Sequence, residues 1–225
     1  MTCKRFIIIS AVISMFGFFA NAQDKAHDWA QFYRYAEANS ELTEAPNVVL
    51  LGNSITDFWV GYDPDFFVNN HLLGRGISGQ TTSEMLVRFR QDVINLKPKI
   101  VVILAGINDI AENNGPILPE NILGNIRSMV ELARFHKIQP VLCSLLPTKG
   151  FSWRPDIKPA EIVRNFNRQL EAYAKAESIP FVNYYDAMVD SDGGLRSDLT
   201  ADGCHPNIRG YRIMEPILLK VLNNL

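Results

Sequence analysis

Cysteine is scarce in this sequence. Only three cysteines occur among 225 residues, and Cys3 lies at the N-terminus, before an apolar stretch. Cys143 and Cys204 are too few for the disulfide framework of a small secreted scaffold. Stability therefore has to come from a hydrophobic core, although a single bridge between Cys143 and Cys204 stays an alternative in an oxidising compartment.

An excess of charge of either sign is also missing. The chain has 22 basic and 24 acidic side chains, a formal net charge of −2, and no stripe of Lys or Arg. This balance gives no electrostatic reason to expect a nucleic-acid partner. Repeats, low-complexity tracts and interdomain linkers are absent too, while 47% of the residues are hydrophobic. The composition excludes global disorder and predicts one globular domain with a substantial core.

The N-terminus has the pattern of a secretory signal peptide. Lys4 and Arg5 precede an apolar stretch at 6–20, which ends in an Ala-x-Ala pattern at Ala20 and Ala22. This predicts a signal peptide at 1–22, followed by a single domain at 23–225. The apolar stretch is short for a membrane span of about 20 residues, so an uncleaved anchor is the weaker alternative. We expect a periplasmic or extracellular protein with no stable membrane insertion after cleavage.

Apolar segments of strand length alternate with helical patterns along the chain. Strands are predicted at 48–51, 100–105, 140–145 and 181–184, with a further short strand within 69–77. Helices are predicted at 24–44, 81–96, 119–136, 160–176 and 207–222. Strands without polar alternation are buried on both faces, so the pattern predicts an α/β fold with a five-stranded parallel sheet covered by helices. Ligands of such sheets bind beyond the carboxyl ends of the strands.

Three polar residues at such ends could form a nucleophilic site. Ser54 stands at the turn after the first strand, where it could cap the next helix or serve as a nucleophile. Asp202 and His205 are three residues apart in a tight turn. A carboxylate there can fix the imidazole tautomer, leaving the other nitrogen to accept a proton from a serine. A plain surface turn is the alternative, and a metal site lacks an evident third ligand.

Acyl transfer also needs hydrogen-bond donors for the developing oxyanion. The candidates are the backbone N–H groups of Ser54 and Gly79 and the side-chain amide of Asn108, for which a turn-forming role is the alternative. The stretch 74–79 also matches G-x-G-x-x-G. It follows the second strand rather than the first, and the next acidic residues, Glu84 and Asp92, come too early, so a dinucleotide site is disfavoured.

Four blocks of the sequence together resemble the SGNH hydrolases, a branch of the GDSL lipase/esterase superfamily. The blocks are 52–56, 76–79, 106–109 and 202–206. The resemblance implies a three-layer α/β/α sandwich with flavodoxin-like strand order. It also implies Ser54 as nucleophile, Asp202 and His205 as its triad partners, the oxyanion donors named above, and no metal or organic cofactor. Asn53 replaces the Asp of the superfamily name, for which we expect altered hydrogen bonding and retained activity. Cys204, beside His205, is expected to be a small buried filler and not a rival nucleophile.

The resemblance further implies a secreted serine esterase that cleaves carboxylic esters. Export favours an O-acetyl ester of a carbohydrate as substrate, so that the predicted partner is a small-molecule or glycan ester. The candidate substrate contacts are Trp153, Phe151 and Trp59, the first two in a loop at 146–159. The alternatives are a lysophospholipase or other lipid or aryl esterase on the same triad, and a non-catalytic glycan-binding module of the same fold.

Overall fold

The computed structural model of the protein describes residues 28–225. The predicted signal peptide at 1–22 and the first residues of the predicted N-terminal helix lie outside this range. The strands are β1 (Val48–Gly52), β2 (Leu72–Gly76), β3 (Ile100–Leu104), β4 (Gln139–Cys143) and β5 (Phe181–Val182). The helices of the described range are α1 (Tyr33–Ser40), α2 (Ser54–Tyr62), α3 (Pro64–Asn69), α4 (Thr82–Asp92), α5 (Ile107–Ile110), α6 (Pro119–Phe135), α7 (Pro159–Ala176), α8 (Tyr185–Met188) and α9 (Ile208–Leu222).

The five strands form one parallel sheet in the order β2-β1-β3-β4-β5, with helices on both faces. This is the predicted α/β architecture with flavodoxin-like order, which is confirmed. In the register of the sheet, Gly52 at the end of β1 lies opposite Gly76 of β2 and Leu104 of β3. The segments that follow these three strands therefore leave the sheet side by side at one edge.

The core follows from the apolar patterns of the strands and of the long helices. All five residues of β1 are buried. In α7 the buried side chains recur at three- and four-residue spacing, as Val163, Phe166, Leu170 and Ala174, which turns one face of the helix to the sheet. Burying one large aliphatic or aromatic side chain stabilises the fold by roughly 1.5–3 kcal/mol, so these positions hold the sheet rigid beneath the site.

The N-terminal helix differs from its prediction. Helix α1 covers only Tyr33–Ser40 and has no buried residue, and the Trp29 side chain before it is 61% exposed. Polar contacts attach this segment instead. Asn39 donates to the Asp92 carboxylate at 2.8 Å, and Gln91 donates to the carbonyl oxygen of Phe32 at 2.6 Å. The prediction of a helix at 24–44 that packs through an apolar face is therefore wrong.

Cys143 and Cys204 are both buried and both free, so the alternative of a bridge between them is not realised. Among residues 28–225, we find no helix with the length and apolar character needed to span a bilayer.

Candidate active site

The turn after β1 presents Ser54 at the first position of α2. The helix cap is the neighbouring Asn53, whose Oδ1 accepts the backbone N–H of Ile55 at 3.1 Å. Asn53 thus satisfies one of the free N–H groups of the helix N-terminus, which leaves the Ser54 hydroxyl available. The capping role considered for Ser54 is therefore wrong. Although Asn53 replaces the Asp of the superfamily name, it still supplies the side-chain oxygen that caps the helix.

Ser54, His205 and Asp202 form a continuous chain of hydrogen bonds. Ser54 Oγ lies 2.9 Å from Nε2 of His205, a residue 151 positions away in the sequence. Nδ1 of His205 lies 2.6 Å from Oδ2 of Asp202. The second oxygen of Asp202 accepts the backbone N–H groups of Cys204 at 2.9 Å and His205 at 2.8 Å. These bonds hold the short turn rigid and aim the imidazole at Ser54.

The charge on Asp202 sets the tautomer of His205. Burial raises the pKa of Asp202, but the hydrogen bonds from the His205 ring and from the backbone N–H groups of His205 and Cys204 outweigh burial and lower it to about 2. An ionised carboxylate only accepts hydrogen bonds, so Nδ1 of a neutral imidazole must carry the proton. Nε2 then presents a lone pair to the Ser54 hydroxyl, which is the arrangement that general-base activation requires.

Thr200 supports this turn, and the sequence analysis missed it. Its Oγ1 accepts the backbone N–H of Gly203 at 3.0 Å and lies 2.7 Å from the carbonyl oxygen of His205, to which it donates. A Thr two residues before Asp202 is a sequence signal for a hydroxyl-stabilised turn, and it could have been used.

Gly79 occupies a backbone conformation that favours glycine. Its φ is +82°, and the turn around it is closed by the Gln80 N–H, which donates to the carbonyl oxygen of Ile77 at 3.3 Å. A positive φ at the third position of such a turn is the type II conformation. The Ile77 N–H in turn donates to the carbonyl oxygen of Gly52 at 3.1 Å. The Gly79 turn therefore begins beside the end of β1, next to the Ser54 turn.

Asn108 lies in α5, directly after β3, and its side chain is buried. Its Nδ2 donates to the carbonyl oxygen of Gln80 at 3.0 Å, which leaves the second N–H of the amide for another acceptor. The adjacent Asp109 accepts both the N–H of Thr82 at 2.9 Å and its hydroxyl at 2.5 Å, which fixes α5 against α4. The structure thus brings Asn108 to the residue that follows Gly79. Their role as oxyanion donors stays a prediction.

Arg88 is a second residue that the sequence analysis missed. Its side chain is fully buried on α4, where its Nη2 donates to the carbonyl oxygens of Gly52 at 2.9 Å and Arg75 at 3.0 Å. Its Nε donates to Gln80 Oε1 at 2.5 Å, and its Nη1 pairs with Asp92 at 2.9 Å. The signal was a charged residue on the apolar face of a predicted helix with a carboxylate four positions later.

Two exposed aromatic rings lie beside His205. Trp153 is 41% exposed, with its ring centre 6.1 Å from that of His205. Phe151 packs under Trp153 and is only 2% exposed, so the prediction that Phe151 contacts the substrate is wrong. Phe58 is also 41% exposed, and its ring centre lies 5.3 Å from His205. Phe58 was missed, although it follows Ser54 by four residues on the same helix and so shares its face.

The prediction that Trp59 contacts the substrate is wrong, because its side chain is not available to a substrate. It is 1% exposed and stacks between Phe66 and Tyr211, with ring centres 5.4 Å from each. One residue beyond Phe58 on a helix points roughly 100° away, so the side chain of Trp59 enters the core while Phe58 faces the site.

Other candidates do not join this group. Cys204 is buried, and burial raises the pKa of its thiol to about 12, so the thiol stays protonated at neutral pH. His71 and His136 precede β2 and β4, at the opposite edge of the sheet. Within the part of the chain that the structure describes, no group of three or more His, Cys, Asp or Glu residues is arranged to hold a metal ion.

Comparison with known proteins agrees with this arrangement. Residues 50–213 match the profile of the GDSL-like lipase/acylhydrolase family. The fold is similar to the crystal structure of a GDSL-like lipase from Bacteroides thetaiotaomicron, with a TM-score of 0.85 and 47% identity over 87% of this chain and 99% of that one. An isoamyl acetate-hydrolyzing esterase of Saccharomyces cerevisiae is 29% identical over 77% of this chain and 84% of its own length. An uncharacterized lipoprotein of Bacillus subtilis is 25% identical over 65% of this chain and 71% of its own length.

The matched profile covers well over half of the chain and includes Ser54, Gly79, Asn108, Asp202 and His205. The resemblance to SGNH hydrolases is thereby confirmed, and the alternative of a non-catalytic glycan-binding module is set aside. The chain belongs to the GDSL-like lipase/acylhydrolase family and is an ester-cleaving hydrolase.

Proposed function

We propose that the protein is an exported serine esterase that removes an O-acetyl group from a carbohydrate, with Ser54, His205 and Asp202 as its triad. The observation that carries the proposal is the hydrogen-bonded chain from Ser54 Oγ to His205 Nε2 at 2.9 Å and from His205 Nδ1 to Asp202 Oδ2 at 2.6 Å. The first distance lies within the range for direct proton transfer between positioned groups, and the second is that of a hydrogen bond which orients the imidazole.

The reaction runs in two halves. His205 Nε2 takes the proton of Ser54 as Oγ attacks the acetyl carbonyl carbon, and the resulting oxyanion is stabilised by the N–H groups of Ser54 and Gly79 and by the Asn108 amide. The C–O bond to the sugar breaks as His205 returns its proton to the leaving oxygen. Water, deprotonated by the same nitrogen, then attacks acetyl-Ser54. The C–O bond to Ser54 breaks as His205 returns the proton to Oγ, and acetate leaves. Asp202 keeps His205 oriented and stabilises the imidazolium in both halves.

The carbohydrate part of the proposal is supported by the aromatic side chains beside His205. The leaving oxygen must lie next to His205 Nε2, so the alcohol part of the ester extends past Phe58 and Trp153. Flat aromatic faces suit the C–H face of a sugar ring. The yeast relative acts on an acetate ester, which supports a small acyl group.

The signal-like segment at 1–22 supports export. The likeness to a lipoprotein of Bacillus subtilis agrees with export, which supports a substrate outside the cytoplasm.

The test is a substrate panel assayed with wild type and Ser54→Ala. It contains acetylated oligosaccharides and aryl esters of increasing acyl length. We expect Ser54-dependent hydrolysis, with acetyl esters cleaved faster than long-chain esters. Trp153→Ala should raise KM for an acetylated oligosaccharide more than for a small aryl acetate. Faster cleavage of long acyl chains would favour a lipid esterase on the same triad, and full activity of Ser54→Ala would remove Ser54 from the mechanism.

A further inference from the structure

Asn113, which follows α5, contacts three parts of the site at once. Its Nδ2 donates to the carbonyl oxygen of Gly79 at 3.1 Å. Its Oδ1 accepts the indole N–H of Trp153 at 2.9 Å. Its backbone N–H donates to the carbonyl oxygen of Asn108 at 3.0 Å. A single residue is therefore bonded to both predicted oxyanion residues that lie outside the Ser54 turn and to the aromatic ring beside His205.

The Gly79 turn needs such support because packing does little to define it. Gly79 is exposed, and no atom beyond its neighbouring residues lies within 4 Å of the position that a Cβ would occupy. Glycine also has more conformational freedom than any other residue. Hydrogen bonds therefore decide how the turn is held. Asn113 binds the carbonyl of Gly79, and Asn108 binds the next carbonyl, that of Gln80, at 3.0 Å.

The loop that carries Trp153 is attached to the same segment of backbone as Asn113. Arg154, the next residue, donates to the carbonyl oxygen of Ala111 at 3.1 Å and pairs with the Glu112 carboxylate at 2.8 Å. The loop that carries Trp153 is thus attached to 111–113 by two consecutive side chains. Since Trp153 lies 6.1 Å from His205 between ring centres, a shift of this segment would change the alcohol side of the site as well.

We propose that Asn113 is a positioning residue, whose amide holds the Gly79 turn and the Trp153 ring in one fixed arrangement. The oxyanion donors and the sugar-binding face are then aligned before the substrate binds. This inference rests on the proposed function. Asn113 acts through Gly79, Asn108 and Trp153, and not by contact with the reacting atoms. Preorganised donors stabilise a transition state because no reorganisation is needed during the reaction, so loosening their support lowers kcat.

The test separates the two side-chain bonds by substitution. Asn113→Asp keeps an acceptor for the Trp153 N–H but has no donor for the Gly79 carbonyl, whereas Asn113→Ala removes both. Both variants should lower kcat on a small aryl acetate by roughly tenfold, less than the about 10²–10³ for removal of a donor itself. KM for an acetylated oligosaccharide should stay at the wild-type value in Asn113→Asp and rise in Asn113→Ala. That rise should be absent when Asn113→Ala is added to Trp153→Phe.

The matched control is Asn121→Ala, an exposed asparagine of α6, which should leave both constants unchanged. Values of kcat within twofold of wild type in both Asn113 variants would overturn the inference. So would an equal rise in KM for the acetylated oligosaccharide in Asn113→Asp and Asn113→Ala accompanied by an equal fall in Tm, because that result describes a purely structural residue. A wild-type protein without Ser54-dependent hydrolysis of either ester would instead overturn the proposed function, which makes the two failures distinguishable.

Discussion

The guanidinium of Arg88 donates a hydrogen bond of 2.9 Å to the carbonyl oxygen of Gly52, the last residue of β1. The same buried group binds the carbonyl of Arg75 and the side chain of Gln80. Burial lowers the pKa of Arg88, and the Asp92 carboxylate offsets part of that effect. One side chain thus joins the strand ends that precede Ser54 and Gly79, two residues with no sequence proximity.

Replacing Arg88 by Met should destabilise the fold severely. The substitution leaves the Asp92 carboxylate without its cation in a site where Asp92 is 1% exposed, so we expect a loss of about 3–5 kcal/mol in the free energy of unfolding. Urea denaturation measures it. Arg90→Met, an exposed neighbour on the same helix, should cost under about 0.5 kcal/mol. Equal costs for the two variants would contradict a structural role for Arg88.

Asp202→Asn should abolish most of the activity while the protein stays folded. An Asn side chain can donate to Nδ1 of His205, which moves the imidazole proton to Nε2 and removes the base from Ser54. We expect kcat to fall by up to about 10⁴-fold, as for the equivalent change in a serine protease. Initial rates on an aryl acetate at neutral pH measure the loss. Asp198→Asn, an exposed partner of Arg196, is the control and should stay within twofold of wild type. A variant that retains a tenth of wild-type activity would contradict the triad role.

Asn108→Ala should lower kcat by roughly 10²–10³ with a small change in KM, which is the usual cost of removing one oxyanion donor. The buried Gln80 carbonyl also loses its partner, at a cost of about 1–3 kcal/mol in stability. Rates should therefore be measured well below the Tm of the variant. An unchanged kcat would remove Asn108 from the oxyanion role.

Glu215 should make the stability of the folded protein depend on pH. It is buried on α9 with its carboxylate 3.3 Å from Arg212, whose other Nη binds Asp63 at 2.9 Å. Burial raises the pKa of Glu215 above 4.5, the bond with Asp63 raises it further, and Arg212 opposes both. A raised pKa in the folded state means that the stability associated with the bound proton is present at acid pH and is lost as pH rises through that pKa.

Glu215→Gln should therefore lose less stability than wild type between about pH 5 and about pH 8. Tm values at the two pH values measure the difference. Glu177→Gln, an exposed partner of Arg134, serves as control and should behave as wild type does. An identical pH dependence of wild type and Glu215→Gln would show that Glu215 does not carry the effect.

Several features could be predicted because their causes are local. The buried strands follow from unbroken apolar runs such as that of β1, and the parallel arrangement follows from their alternation with helices. The turn that joins Asp202 to His205 is set by a three-residue spacing. Two predictions failed at the same local level. The aromatic residues around Trp29 have helical spacing, but α1 has no buried residue and its segment is attached by polar contacts. Trp59 is one position beyond Phe58 on α2, and this difference in helical phase turns it into the core.

The sequence by itself determined the α/β fold, the family and the identity of the polar residues at the strand ends. Only the tertiary structure decided that His205 meets Ser54 across 151 residues, that Arg88 joins two strand ends, and that Asn113 connects Gly79 with Trp153. The physical reason is that periodicity and turn chemistry depend on neighbouring residues. Hydrogen bonds between distant segments depend on the register of the sheet and on how the loops beyond it pack.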